Sequence, residues 1–528
     1  MKLFDLLTRG AALAPDKDAA VHSDKKITYR ELLLKTTVLA RYLENLDLAA
    51  GSRVAVLFEN SLEYIISFFA VTRAGYVVVP LDTSLKPDKF RFILDDCEAK
   101  ILFIQTKFTR NLPEIIGDKS SLELVISDRA LDLSKYRLKS EKLSDIIDHS
   151  EFKPSFDELI EGIDAIAPLS NLTHKTLPPC PHELAAIFYT SGSTGTSKGV
   201  MLSHLNLVSN TVATVEYLKL TGNDSIMVIL PFYYIYGNSL LLTHVQVGGR
   251  LVIDNRFAFP QVILETMIKE KVTGFSGVPS NFMILLNNAN FRLEKLPALR
   301  YLTQAGGAMA PKVIQNVIDV FPDREIYIMY GQTEAAPRVT WLPPEDLKDH
   351  ISSIGIPVPG VTVLLTGDDG REVGSGEIGE ITVVGDNVML GYWHQPDEES
   401  QVLKDGKLYT GDLARRDEKE YLYIVSRKKE IIKVGGNRVS AKEIEERILE
   451  NEKVLETAVV GVSDDILGEA IKAVVVLKEG CAATKEEIQN HIGVRLARHK
   501  IPKYVIFTSA LPKYPSGKVK KQELSKSI

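Results

Sequence analysis

Short apolar runs rich in β-branched residues recur through the first 330 positions, and stretches with helical periodicity separate them. The pattern predicts strands at 53–58, 77–80, 101–104, 122–126, 184–188, 200–202, 225–230, 250–253 and 326–330, with a helix over 62–74. Strands that alternate with helices imply βαβ units and largely parallel sheets. Strands buried on both faces need no polar alternation, which suits these continuous runs. Beyond Gly360 the texture changes. Strands at 361–366, 377–384 and 421–424 are separated by turn pairs such as Asp369-Gly370 and Asp405-Gly406, the mark of an antiparallel β region. After Arg427 a third texture begins, with helices at 441–451 and 484–496 and strands at 457–462, 470–477 and 501–508. Ser440 is placed to cap the first of these helices, with Glu443 completing a capping box. The polar segment 128–179 reads as a poorly ordered surface excursion.

This organisation gives an α/β chain. A large N-terminal unit, 1–426, is built of parallel-rich αβ layers with a small β-barrel-like region at about 355–426; a small mobile α+β unit, 427–528, follows it. The hinge is placed near Lys429. A chain of 528 residues exceeds one ordinary core, in keeping with such a division.

Composition narrows the function. The net charge of −6 supplies no basic excess for nucleic acid. Cys97, Cys180 and Cys481 lie too far apart for a metal motif or a disulfide framework, so free thiols in a reducing compartment are expected. The N-terminus carries charges within its apolar part and is no secretory signal. No apolar stretch of about 18 residues exists to span a membrane. A cytoplasmic protein is expected.

The segment 187–200, Ile-Phe-Tyr-Thr-Ser-Gly-Ser-Thr-Gly-Thr-Ser-Lys-Gly-Val, carries the first chemistry. Thr190, Ser191, Ser193, Thr194, Thr196 and Ser197 interleave with Gly192, Gly195 and Gly199, and Lys198 stands near the end. Tight turns with successive N–H groups form an anion-binding concavity, to which hydroxyls and an ammonium add donors. The order Ser197-Lys198-Gly199 differs from a Walker A motif, where Gly precedes the Lys and Ser or Thr follows it. A flexible Gly/Ser linker is the competing reading, and the flanking strands argue against it.

Four further motifs follow in order: Tyr330-Gly331-Gln332-Thr333-Glu334, Tyr409-Thr410-Gly411-Asp412, the stretch from Ser426 to Arg438 with Gly435-Gly436, and Pro512-Lys513-Tyr514-Pro515-Ser516-Gly517-Lys518. Together with Thr28-Tyr29-Arg30-Glu31-Leu32, they make the whole chain resemble the adenylate-forming superfamily: acyl- and aryl-CoA synthetases, stand-alone adenylation domains and firefly luciferase. The chain departs from the family pattern at Ser426, usually Gly, at Ala441, usually Pro, and at Tyr514, often Thr.

The resemblance implies a set of roles. Thr190, Ser191, Gly192, Ser193, Thr194, Gly195 and Lys198 would cradle ATP phosphates, with Gly307, Tyr330, Gly331, Thr333, Asp412 and Arg427 completing the ATP/AMP site. Thr333 would contact ATP, and Glu334 would hold Mg²⁺, a hard cation that takes oxygen ligands. Asp412 would accept from the ribose hydroxyls and Arg427 would touch the ribose. Lys429 would be the hinge, Gly435 and Gly436 the path of the incoming thiol, and Lys518 the catalytic lysine. His204 is read as positional rather than as a general base, behind the helix-capping Ser203.

The acid pocket is expected from Tyr234, Tyr236, Gly306 and Ala308. No acidic residue occurs over 231–247 to pair with an α-ammonium group, so an apolar aryl or aliphatic acid is favoured over an amino acid. The expected acceptor is coenzyme A. The alternative is the phosphopantetheine arm of a carrier protein acting in trans, since no carrier domain is fused. A third reading, an ATP-binding protein without catalysis, sits poorly with Glu334, Asp412, Arg427 and Lys518 all in place.

Overall fold

The computed structural model describes residues 1–116, 121–136, 138–161, 182–191, 197–288, 290–464, 467–514 and 519–525. The apolar runs of the first 330 residues pair into two large sheets. In a nine-stranded sheet the strands Arg250–Ile253, Ser225–Val228, Gly274–Gly277, Tyr301–Gln304 and Glu325–Gly331 run parallel, flanked by antiparallel edges. In an eight-stranded sheet the strands Val77–Pro80, Arg53–Leu57, Ile101–Ile104 and Leu124–Ser127 are parallel, and Leu184–Ser191 extends them. Helices Leu3–Leu13, Leu62–Arg73 and Ile235–Gln246 contribute their apolar side chains to one core shared with both sheets. Ile235–Gln246 is buried along its whole length, so its sequence shows no polar face.

Residues 361–427 form a five-stranded antiparallel sheet, ending in the strand Leu422–Arg427. After it, Ile431–Val434, Asn437–Ser440, Val454–Asp464, Gly468–Leu477 and Tyr504–Phe507 build a further five-stranded sheet. Helices Ala441–Leu449 and Lys485–Gly493 close a separate apolar core on it around Ile444, Ile448, Ile488 and Ile492.

Two expectations need correction. The segment from Asp128 is structured over much of its described part. Lys139–Lys142 adds an edge strand, and Leu143, Ile146, Ile147 and Phe156 enter the main core. Four apolar anchors suffice to dock an otherwise polar stretch. The capping box at Ser440 is half formed. Ser440 Oγ accepts from the Glu443 amide at 3.5 Å, but the Glu443 carboxylate turns to Lys500 at 2.7 Å, a charged partner.

Candidate active site

The site gathers where parallel strands end, the usual ligand crevice of open α/β sheets. Leu184–Ser191 and Ser197–Ser203 form an antiparallel hairpin with Thr190 opposite Lys198 and Ser191 opposite Ser197. Gly192, Ser193, Thr194 and Gly195, which join the two strands, lie outside the described residues, as does Lys518.

Glu325–Gly331 delivers the second motif. A Cβ on Gly331 would stand 1.8 Å from the carbonyl oxygen of Pro337, so only glycine lets the chain double back here. The turn that follows presents Thr333 and Glu334. Glu334 is tied to the hairpin of Leu184–Ser191 and Ser197–Ser203 by the segment after Asn387. Met389 N donates to Glu334 O at 3.0 Å, Leu390 N donates to Met201 O at 2.9 Å, and Gly391–Tyr392 pairs with Val200 and Met201. The Tyr392 hydroxyl then donates to Glu334 Oε1 at 2.8 Å. Burial first, and the Glu334 carboxylate second, push the Tyr392 phenol up.

Lys198 is only 7% exposed, lies 5.2 Å from the Tyr392 ring centroid and is paired with Glu398. The hydrogen bond from Lys198 holds the Glu398 carboxyl below its ordinary range; the charges of Lys198 and Lys429 add to this. Lys198, Tyr392 and Glu334 thus form one connected face, and the charge of Lys429 reaches it through Glu398.

On the other side, the Tyr330 hydroxyl donates to Asp412 Oδ2 at 2.6 Å, and Arg427 Nε donates to Asp412 Oδ1 at 2.7 Å. Asp412 is 6% exposed and anchored by its own amide on Thr410 Oγ1 at 3.1 Å. The Asp412 charge is the main reason the Arg427 guanidinium is raised further. Glu380 braces the turn, accepting from Gly411 N at 2.8 Å and pairing with Lys428 at 2.7 Å. A carboxylate has about four lone-pair sites, so Asp412 keeps capacity for further donors.

Tyr236 and Gly306 are neighbours: a Cβ on Gly306 would lie 4.0 Å from Tyr236 Cδ1 and 3.0 Å from Val278 Cγ1. Gly307 and Ala308 are exposed just beyond. Gly307 is held by Gln304 Nε2, which donates to its carbonyl at 2.8 Å. Tyr234 differs from its partner. Its hydroxyl donates to Asp82 Oδ2 at 2.7 Å, and its ring packs against Tyr233. The acidic group missing from 231–247 is therefore supplied from a distant loop and taken up by a phenol.

Gly435 and Gly436, with φ of 54° and 85°, form the two-residue turn of an antiparallel hairpin. Such turns demand positive φ at both places. A Cβ on Gly436 would meet nothing within 4 Å, so backbone conformation is what selects glycine in this pose. His204 accepts from Leu3 N through Nδ1 at 3.2 Å, and burial pushes it down to about 4. Its role is structural. Tyr392, Glu398, Arg338 and Asp82 escaped the sequence reading. The run Gly391-Tyr392-Trp393 before Pro396 was the signal available for the first two.

Among the described residues no group of three or more His, Cys, Asp or Glu side chains could hold a metal ion. Glu334 alone fits the looser requirement of Mg²⁺, which binds through one or two carboxylates plus substrate phosphates. No helix among the described residues is long and apolar enough to cross a membrane.

The AMP-binding enzyme family signature matches residues 7–393, and that of the AMP-binding enzyme C-terminal domain matches residues 443–518. A long-chain-fatty-acid–CoA ligase of Yersinia pestis is 34% identical over 531 residues, covering 99% of this chain and 93% of that protein. The Bacillus subtilis long-chain-fatty-acid–CoA ligase is 32% identical, covering 99% and 94%. The structure of ATP-bound MatB from Rhodopseudomonas palustris superposes with a TM-score of 0.81 at 28% identity, covering 100% of this chain and 99% of that one. On these matches the chain belongs to the AMP-binding enzymes, the adenylate-forming superfamily whose ordered motifs it carries.

Proposed function

We propose that the protein is an ATP-dependent ligase that joins a carboxylic acid to coenzyme A. The observation that supports this is the Tyr330–Asp412–Arg427 cluster, whose buried carboxylate we assign to the ribose hydroxyls. The acid's carboxylate is already ionised at neutral pH and needs no enzyme base. It attacks the α-phosphorus of ATP, an acyl-adenylate forms and pyrophosphate leaves. What the enzyme supplies is alignment of two anions and donors for the growing charge.

Lys198 and the hydroxyls of the Thr190–Ser197 hairpin are assigned to the leaving phosphates, and Thr333 to the ATP phosphate chain. Lys518 is assigned to the reacting carboxylate and α-phosphate. Glu334, oriented by Tyr392, would hold Mg²⁺, which when bound offsets phosphate charge. In the second half-reaction a thiol attacks the mixed anhydride and AMP leaves. We assign that step to a swing of residues 427–528 about Lys429, which would bring Gly435 and Gly436 to the site. The slot beside Tyr236, Val278 and Gly306 favours an acid with an apolar or aromatic body.

Pyrophosphate exchange across a panel of carboxylic acids tests the first half. AMP release on adding free coenzyme A, set against a phosphopantetheinylated carrier protein, tests the acceptor. Exchange with no acid would refute the ligase assignment, and AMP release with the carrier alone would replace coenzyme A.

A further inference from the structure

Arg338 opens the strand Arg338–Leu342, four residues after Glu334, and is only 2% exposed. Its guanidinium carbon lies 4.3 Å from the centroid of the Tyr236 ring, the ring that faces Gly306 in the acid slot. The Tyr217 phenol is a further polar neighbour and takes a side-chain hydrogen bond from Arg338; burial raises both phenols and Arg338 opposes the rise in each. The Tyr236 hydroxyl is engaged elsewhere, with Thr303 O at 3.2 Å and Thr303 Oγ1 at 3.0 Å. Arg338 Nε has no hydrogen-bond partner. Among the described residues no Asp or Glu carboxylate forms an ion pair with Arg338.

The backbone of Arg338 is fixed on both sides. Its amide donates to Asn210 Oδ1 at 3.1 Å, and its carbonyl accepts from Asn210 Nδ2 at 2.8 Å and from Asn387 Nδ2 at 3.0 Å. A guanidinium cannot shed its charge as a buried lysine can. A cation enclosed with aromatic rings and one unfilled donor is unfavourable unless an anion joins it. If packing were the only need, a methionine or leucine would cover Tyr236 without an orphaned donor. What a planar guanidinium adds is two-point recognition of a carboxylate.

We propose that Arg338 is a specificity-determining residue that receives a second carboxylate on the acid substrate, distinct from the one that is adenylated. This rests on the ligase reading above and narrows its substrate class to acids with an apolar body and two carboxylates, converted to the mono-thioester.

The test compares straight-chain dicarboxylic acids, ω-hydroxy acids and monocarboxylic acids of equal carbon number by pyrophosphate exchange, with the wild-type enzyme and with Arg338→Met and Arg338→Lys. The expected wild-type kcat/KM for the best diacid exceeds that for its matched monoacid by about 10-fold or more, the yield of one charged hydrogen-bonded contact. Arg338→Met should cut the diacid-to-monoacid ratio by about 100-fold, mostly through KM, because the partner carboxylate is then left unpaired. Arg338→Lys should restore part of it. Equal use of diacids and monoacids by the wild type overturns the proposal even if the variants fail to fold. So does a ratio unmoved by Arg338→Met, or ω-hydroxy acids used as well as diacids. Exchange with monoacids alone leaves the ligase reading standing and removes only this inference; exchange with no acid removes both.

Discussion

Arg427 and Asp412 face each other across paired strands as Cα partners, and the guanidinium Nε closes to 2.7 Å on the carboxylate. Arg427 is the last residue of its strand, two residues before the proposed hinge Lys429, so the contact joins the Tyr330–Asp412 side of the site to the start of residues 427–528. The ion pair is asymmetric: Asp412 is enclosed, whereas about half of the Arg427 side chain is exposed.

Asp412→Ala should therefore lower kcat/KM for ATP in the exchange assay by about 100-fold or more. It removes the proposed ribose acceptor and strands Arg427 and Tyr330 together. Tyr330→Phe deletes one hydrogen bond to a charged group and should cost about 10-fold. Equal effects of the two would show that Asp412 acts only as a partner for Tyr330.

The Tyr392 hydroxyl on Glu334 predicts a change in metal dependence. Tyr392→Phe should raise the Mg²⁺ concentration for half-maximal exchange by about 10-fold, in the range seen when a group that orients a ligand is removed. An unchanged Mg²⁺ titration with reduced kcat would place Tyr392 outside the metal's support.

Gly331→Ala puts a Cβ 1.8 Å from a backbone oxygen. Backbone cannot step aside as a side-chain tip can, so a loss of about 3 kcal/mol or more is expected, read as a lowered denaturant midpoint. A wild-type midpoint would mean that the 331–337 bend relaxes freely.

Acid sensitivity follows from two enclosed histidines. Burial pushes both His204 and His244 down to about 4 from 6.5. The unfolded chain takes up protons below about 6.5 while the folded one resists. Stability is complete above 6.5, falls as pH drops from 6.5 to 4 and levels off below, by on the order of 3 kcal/mol for each histidine. Chemical denaturation at steps between pH 7 and 4 should show this slope. His204→Gln should flatten it by about half, and an unchanged slope would remove His204 from the account.

The parallel strands were legible because burial on both faces leaves an unbroken apolar run. Val77–Pro80, Ile101–Ile104 and Arg250–Ile253 fall where the pattern places them, residue for residue. The edge strand Lys139–Lys142 was not legible, since its Lys-Ser-Glu-Lys sequence has no apolar face and only its neighbour makes it a strand. Gly391–Tyr392 is a two-residue strand that exists only through pairing with Val200 and Met201. That pairing is what carries the Tyr392 hydroxyl to Glu334.

The apolar runs were enough to predict the αβ layering, and the ordered motifs to give the family resemblance and to single out Tyr330, Glu334, Asp412 and Arg427 as site residues to propose. Those features are local, set by strand burial, turn glycines and residue type at fixed spacing. Tertiary structure alone decided which groups share a contact: Lys198 with Glu398, Tyr234 with Asp82, and Arg338 buried over Tyr236 with no ion-paired carboxylate among the described residues. A one-dimensional pattern reports whether a position is apolar or charged. Whether a charge finds its partner depends on segments that are far apart in the chain and meet only when the sheets close.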